Sequence, residues 1–367
     1  MRPEGRGDEV RPKERILAAL RGEAVDRVPW SPFLAYIWET FPSEIRERGQ
    51  LAFLQDIGAD PLLRGSHCLF VKKYRSCTLR EEVRGQEKFT RYETPVGTLQ
   101  ARHVYSQLGN TWFIVDHPVT TAKDFEVLTY INEHTVIEPN MAKFAEDYQR
   151  LGDSGLYLPI IGSESKTSFQ SLLEFWVGTE NLVYALMDFP EVVEATLAAM
   201  QANSLKTVEI SVNAEAEAFI FWEDSSTTNI SPGYFARYAA PEINAWGEMI
   251  HDAHKLLIHH ACGHLRALLP AMGQTNIDCV ESISPPPTGD IELWEAQEIL
   301  PKHIALIGGI EPTVFLQASM DQLETYVAEL LARMGTQRYI LANSDSCPPG
   351  VSIDKFRLVT QMVQTKR

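Results

Sequence analysis

Residues 218–260 run AFIFWEDSSTTNISPGYFARYAAPEINAWGEMIHDAHKLLIHH, and this stretch decides the fold. An apolar run of strand length (218–222) gives way to a polar loop. Ser231-Pro232 follows, a side-chain cap beside a proline suited to the first helical position. A helical stretch over 232–253 leads into a second apolar run, 255–260. Strand, crossover helix, strand is the repeating unit of a parallel sheet, because parallel neighbours need a long connection.

The same unit extends in both directions. Apolar runs at 156–161, 277–280, 304–308 and 339–342 alternate with helical stretches at 190–210, 291–300 and 320–334. No Gly-x-Gly-x-x-Gly follows the early strands, so an open dinucleotide-binding sheet is disfavoured. The expectation is an α/β fold, a single (β/α)₈ TIM-barrel domain over 1–367. Upstream, 12–20 reads as an amphipathic helix, 27–30 as extended chain, and 43–57 as helical after Pro42. The segment 76–115 differs. Short β-type runs at 78–83, 88–92, 99–104 and 112–115, parted by turns at Gly85, 95–97 and 109–110, predict an antiparallel hairpin excursion.

Composition narrows the function. The 367 residues are 44% hydrophobic, with mean hydropathy −0.16. No run approaches the roughly 20 apolar residues of a membrane span. The opening MRPEGRGDEVRPKER has no apolar region behind it, so a cytoplasmic location without membrane association is expected. A formal charge of −16 repels phosphate backbones, which argues against a nucleic-acid partner. The five cysteines form no even set for a disulfide framework.

In a barrel the working groups stand where strands end and βα loops begin. Those positions hold Trp222-Glu223-Asp224-Ser225, the run 259–264, the run 278–281, and Asn343-Ser344-Asp345-Ser346-Cys347. Alternate residues of a strand share a face, so His260 and Cys262 point together, which gives an imidazole and a thiolate for half a tetrahedral zinc site. Cys347, past another strand and before Pro348-Pro349-Gly350, is the expected third ligand. An oxygen for the fourth position can come from Glu281, on the next strand, or from Glu223; the alternative is that both are solvated carboxylates at the mouth. Glu223 and Asp224 are the candidate pocket-lining and acid–base groups. His259 faces the opposite side as a structural histidine, and His264 caps or starts the next helix. Cys279 reads as a buried small hydrophobe, and Cys68 and Cys77 as structural.

At these residues the chain resembles the uroporphyrinogen decarboxylase superfamily. The segment 15–29 (RILAALRGEAVDRVP) resembles its opening, Thr94-Pro95-Val96-Gly97-Thr98-Leu99 its hairpin motif, and Ile230-Ser231-Pro232 its central region. The resemblance implies a (β/α)₈ barrel. The decarboxylases proper grip substrate carboxylates with arginines near the N-terminus, yet the equivalent stretch 30–38, WSPFLAYIW, has none. The branch of methyltransferases that exchange methyl groups with corrinoid proteins carries H-x-C and a distant C, matched by His260, Cys262 and Cys347. That resemblance implies a zinc-dependent methyltransferase. Its co-substrate would be a corrinoid (methylcobalamin) on a partner protein, and its second substrate a small methyl donor or acceptor. Trp30, Phe33, Tyr36, Trp38, Phe175, Trp176 and Trp222 are candidates for a corrinoid-facing surface. The competing readings are a metal-free decarboxylase or lyase using Asp224 or Glu223, and a non-catalytic binding barrel.

Overall fold

The computed structural model describes residues 10–107 and 111–365. Its strands are β1 (Leu62–Cys68), β2 (Phe70–Tyr74), β3 (Thr78–Arg84), β4 (Glu87–Thr94), β5 (Gly97–Ser106), β6 (Thr111–Asp116) and β7 (Thr135–Pro139). Then come β8 (Leu156–Ile160), β9 (Ala218–Trp222), β10 (Leu256–His260), β11 (Cys279–Ile283), β12 (Ala305–Ile310) and β13 (Tyr339–Asn343).

The main sheet is parallel, in the order β1-β8-β9-β10-β11-β12-β13, so the fold is α/β with helices filling the crossovers. Its edges share one interior. Leu62 of β1 and Ile340 and Ala342 of β13 belong to the same buried cluster as Leu158, Ile220, Ile258, Cys279 and Ile307. Residues 29–31 and 60 lie between the edges. Ser31 N–H donates to Leu341 O at 2.9 Å, Leu341 N–H to Pro29 O at 2.9 Å, and Asp60 N–H to Trp30 O at 2.7 Å. Ile16, Ala19 and Leu20 of the helix Pro12–Arg21 join the interior cluster, so this helix stops one end of the sheet's hollow.

Period-two alternation sorts the side chains. Ile258 and His260 of β10 face inward, while Leu257 and His259 face the helices, with His259 stacked on Phe221 at 4.5 Å. His259 is fully buried, neither ring nitrogen has a hydrogen-bond partner, and burial presses its pKa down to about 3, so it is a neutral packing residue.

Strands β3 to β6 form a separate antiparallel four-stranded sheet, paired from Thr78↔Glu93 to Ser106↔Thr111 with a register shift between Arg102 and His103. The turn expected at 109–110 lies outside the described residues. Leu99 and Ala101 of β5 are buried, and Gly97 approaches Val127 of the helix Ala122–Glu133 so closely that a Cβ would meet it at 2.6 Å. Ser231 caps the helix after β9 by accepting Tyr234 N–H, as its sequence position predicts. The expected single helix over 43–57 is two, Ser43–Arg46 and Gly49–Asp56, parted at Glu47-Arg48, with Gly49 at φ +84° where the second begins.

Candidate functional site

The register of three neighbouring strands sets the innermost layer at the C-terminal end of the sheet. His260 pairs with Trp222 on one side and Glu281 on the other, so all three project into the hollow at one level. Arg64 of β1 completes the layer. Its Nε donates to Glu281, and its other nitrogens reach Ser31 O at 2.9 Å and Leu62 O at 3.2 Å. The carboxylate of Glu281 also meets His260 Nδ1 at 3.1 Å. Burial alone would raise the Glu281 pKa, but Arg64 and His260 outweigh it and hold the group below its ordinary value. For His260 the same contest runs the other way: burial lowers it, and Glu281, Asp345 and Asp224 together carry it above the ordinary imidazole range.

With Nδ1 engaged, Nε2 of His260 faces the mouth. Asp224 Oδ1 lies 3.9 Å away and Asp345 Oδ1 4.0 Å away. Cys262 Sγ is 3.5 Å from Asp224 Oδ1. Among the described residues, Asp224, His260 and Cys262 form the group whose potential donor atoms all lie within 4.8 Å of one another. Burial, then the charges of Asp224 and Asp345, push the Cys262 thiol far above its usual pKa. A thiol surrounded by carboxylates is a poor place for an anion unless a cation joins it. Nitrogen, sulfur and oxygen donors converging in that way fit a divalent ion of the zinc type.

The other expected donors stand apart. Cys347 lies outside that group. Its Sγ is 3.9 Å from Pro348 O, and its backbone is pinned by Cys347 N–H to Phe33 O and Ile37 N–H to Cys347 O, each 3.0 Å. From the same loop it is Asp345 that faces His260. Glu281 sits behind the imidazole, bound by Arg64, and so orients His260 instead of offering an oxygen at the mouth. Glu223 is turned away altogether: it is fully buried and accepts Thr167 N–H at 2.8 Å and Thr167 Oγ1–H at 2.5 Å. Burial raises its pKa to about 8. His264 starts no helix, and its N–H donates to Ser226 Oγ at 3.1 Å.

The loop after β8 supplies residues that sequence reasoning missed. Lys166 is buried, with Nζ between Glu174 and Asp224 Oδ2, the latter at 3.1 Å. Burial lowers its pKa, but the two carboxylates prevail and the net shift is upward. Thr167 and Ser168, the next two residues, are clamped by Glu223 and by Glu242, so three consecutive positions are held by acidic side chains. Asp224 has φ +46° and Ser282, whose Oγ lies 3.2 Å from His260 Nδ1, has φ +79°. Left-handed backbone at non-glycine residues costs of order 1–3 kcal/mol, and here it aims two side chains at one imidazole.

The aromatic candidates divide. Phe33 stacks on Trp222 at 5.4 Å, and both contact the ring of His260. Tyr36 is 61% exposed at the mouth, and Phe175 lies under the ammonium of Lys166 at 4.9 Å. Trp30 and Trp176 are core residues, and Trp38 packs on Phe41 and Phe53. Gly65, at φ +60°, makes room for the indole of Trp222, which a Cβ would meet at 2.7 Å.

This frame has a family. The uroporphyrinogen decarboxylase (URO-D) family matches over residues 109–366. The chain belongs to the uroporphyrinogen decarboxylase family. No curated protein sequence matches it. Among solved structures it is similar to a methyltransferase from Methanosarcina mazei, at 15% identity and TM-score 0.63, covering 97% of this chain and 99% of that one. A B12-independent methionine synthase from Shewanella sp. W3-18-1 aligns at 11% identity and TM-score 0.48, covering 93% and 98%. The family match spans β8 to β13 and therefore every residue of the His260 cluster except Arg64, Phe33 and Tyr36. Among the described residues no helix is long and apolar enough to cross a membrane.

Proposed function

We propose that this member of the uroporphyrinogen decarboxylase family is a zinc-dependent methyltransferase that moves a methyl group between a thiol and a corrinoid, methylcobalamin, borne by a partner protein in the cytosol. For this role the sheet closes as a (β/α)₈ barrel, with Trp30, bridged to Leu341, in the eighth position. The observation that carries it is the meeting of Asp224, His260 and Cys262 within 4.8 Å at the strand ends. Its donor set and its excess of carboxylates call for a cation. The Methanosarcina protein of like fold is a methyltransferase, in keeping with this reading.

His260, Cys262 and Asp224 would hold the ion, with Cys347 as the further donor that sequence spacing favours. When bound, zinc supplies Lewis acidity and keeps a substrate thiol deprotonated near neutral pH. The chain's own groups prepare the place. Glu281, fixed by Arg64, holds His260 Nδ1 so that Nε2 faces the mouth. Lys166 grips Asp224 through Oδ2 and leaves Oδ1 toward Cys262. Trp222 and Phe33, stacked on each other, pack against the ring of His260. The guanidinium of this layer, Arg64, is wholly engaged and so not free for a substrate rich in carboxylates, which disfavours the decarboxylase alternative.

Purified protein is expected to carry about one equivalent of zinc. Cys262→Ala and Asp224→Asn should lose it while keeping their circular dichroism. Cys347→Ala decides between donor sets: loss of metal adds its sulfur, retention leaves Asp224 in its stead. Full zinc in Cys262→Ala would remove the site. Methylcobalamin mixed with protein and a thiol should show the absorbance change of demethylation, and no turnover across a broad thiol panel would sink the transfer.

A further inference from the structure

The charges around the mouth indicate what sort of thiol it accepts. The carboxylates of Asp224, Asp345, Glu174 and Glu281 share this end with two paired cations, Arg64 and Lys166, both buried. Arg64 is saturated by Glu281 and two carbonyls. Lys166 is divided between Glu174 and Asp224. Lys355, the cation nearest Cys347 in sequence, donates instead to Phe315 O and Leu316 O, each at 2.9 Å. A divalent ion together with the Cys262 thiolate leaves this set one negative charge in excess, and a substrate entering as a thiolate adds another.

At the rim, Tyr36 stands 61% exposed, and burial, then the charges of Asp345, Asp224 and Cys262, raise the pKa of its hydroxyl. The Asp345 side chain is 40% exposed. Its Oδ1 accepts Ser346 N–H at 2.6 Å, and no lysine or arginine salt bridge reaches it among the described residues. A second anionic group on the substrate would therefore meet, at Asp345, a carboxylate with no lysine or arginine paired to it among the described residues. An ammonium would meet the part-exposed Asp345 carboxylate, an attractive pairing.

Resting on the methyltransferase reading above, we propose that the site selects a thiol whose tail carries an ammonium group, that Asp345 receives that group, and that thiols bearing sulfonate or carboxylate are rejected. Asp345 is then the residue that sets specificity, while the His260 cluster takes the sulfur.

Three two-carbon thiols separate charge from shape: cysteamine, 2-mercaptoethanol and 2-mercaptoethanesulfonate. Each is titrated into the cobalt(II)-substituted full-length protein, reading the sulfur-to-cobalt charge-transfer absorbance. Apparent affinity should fall in that order by about tenfold per step. Asp345→Asn should compress the series to within about threefold, chiefly by weakening cysteamine. Equal or tighter binding of the sulfonate by the natural protein, or an unchanged order in Asp345→Asn, overturns the proposal. Should cobalt fail to bind, the metal reading falls on its own. The same three thiols, compared by tryptophan fluorescence quenching in metal-free protein, where Trp222 lies 4.5 Å from His260, then test the charge order separately.

Discussion

Two buried charge clusters lie at opposite ends of one sheet, and they are built on different terms. At the N-terminal ends, Asp60 is fully buried and accepts Arg15 Nη1 at 2.6 Å, Arg27 Nη1 at 2.6 Å and Trp30 N–H at 3.0 Å. Arg15 in turn clasps both oxygens of Asp26 at 2.6 and 2.7 Å. Carboxylates and guanidinium groups match, and the result ties residues 15, 27, 30 and 60 together. At the C-terminal ends, carboxylates exceed cations, a thiol sits among them, and Asp224, Ser282 and Ser165 take left-handed backbone. A saturated network serves the fold, whereas an unsaturated one needs a visitor.

The largest effect should come from the saturated end. Asp60→Ala leaves two guanidinium groups and a backbone N–H facing a void, and is expected to cost about 3–5 kcal/mol in urea unfolding. Zinc content in whatever fraction stays folded should be unchanged. A cost below about 1 kcal/mol would erase the contrast between the two ends.

Acid and alkali should strike opposite ends. Behind the mouth, burial raises Glu242 to about 7 from an ordinary value of 4.5, although Ser168 opposes the shift with bonds from its N–H and Oγ. The native state therefore keeps a proton that the unfolded chain releases. Stability from this group is complete below about pH 4.5 and declines as pH climbs to about 7, by roughly 3 kcal/mol. Glu242→Gln should flatten that decline in melts between pH 5 and 8, and an unaltered slope would reassign it. Asp26 has the reverse sign: its bond to Arg15 holds it below the usual carboxylate value, so its contribution fades as pH falls through that lowered range.

The smallest effect sharpens the mouth. Lys166→Met frees Asp224 Oδ2 and should weaken cobalt(II) binding by about tenfold, the lower end for residues that orient a ligand. Lys166→Arg should recover most of it. Identical affinity and spectra in both variants would make Lys166 a packing residue.

The legibility of these ends in sequence depends on the range of each cue. The strand 218–222 and the helix 320–334 coincide with the elements found, because apolar period and caps are written within a few residues. His260 and Cys262 are legible for a related reason: His260 ends β10 and Cys262 follows two residues on, close enough for both to meet Asp224. Cys347 was read by residue type, but which residue of the loop 343–347 points inward depends on backbone bonds to Phe33 and Ile37, more than 300 positions earlier. Arg64 and Lys166 were missed because a paired cation looks like any surface charge until its partner is known. Those partners, Glu281 and Asp224, are 217 and 58 positions away. Glu223 shows the limit of alternation as a cue: Trp222 faces the hollow, so its neighbour turns outward to Thr167.

The helix Pro12–Arg21 has a consequence for traffic. With Ile16, Ala19 and Leu20 lodged in the closed end, the hollow is a cul-de-sac, and whatever reaches His260 from solvent must back out through the doorway it entered. Under the proposed transfer, donor and acceptor would have to take turns at a single threshold.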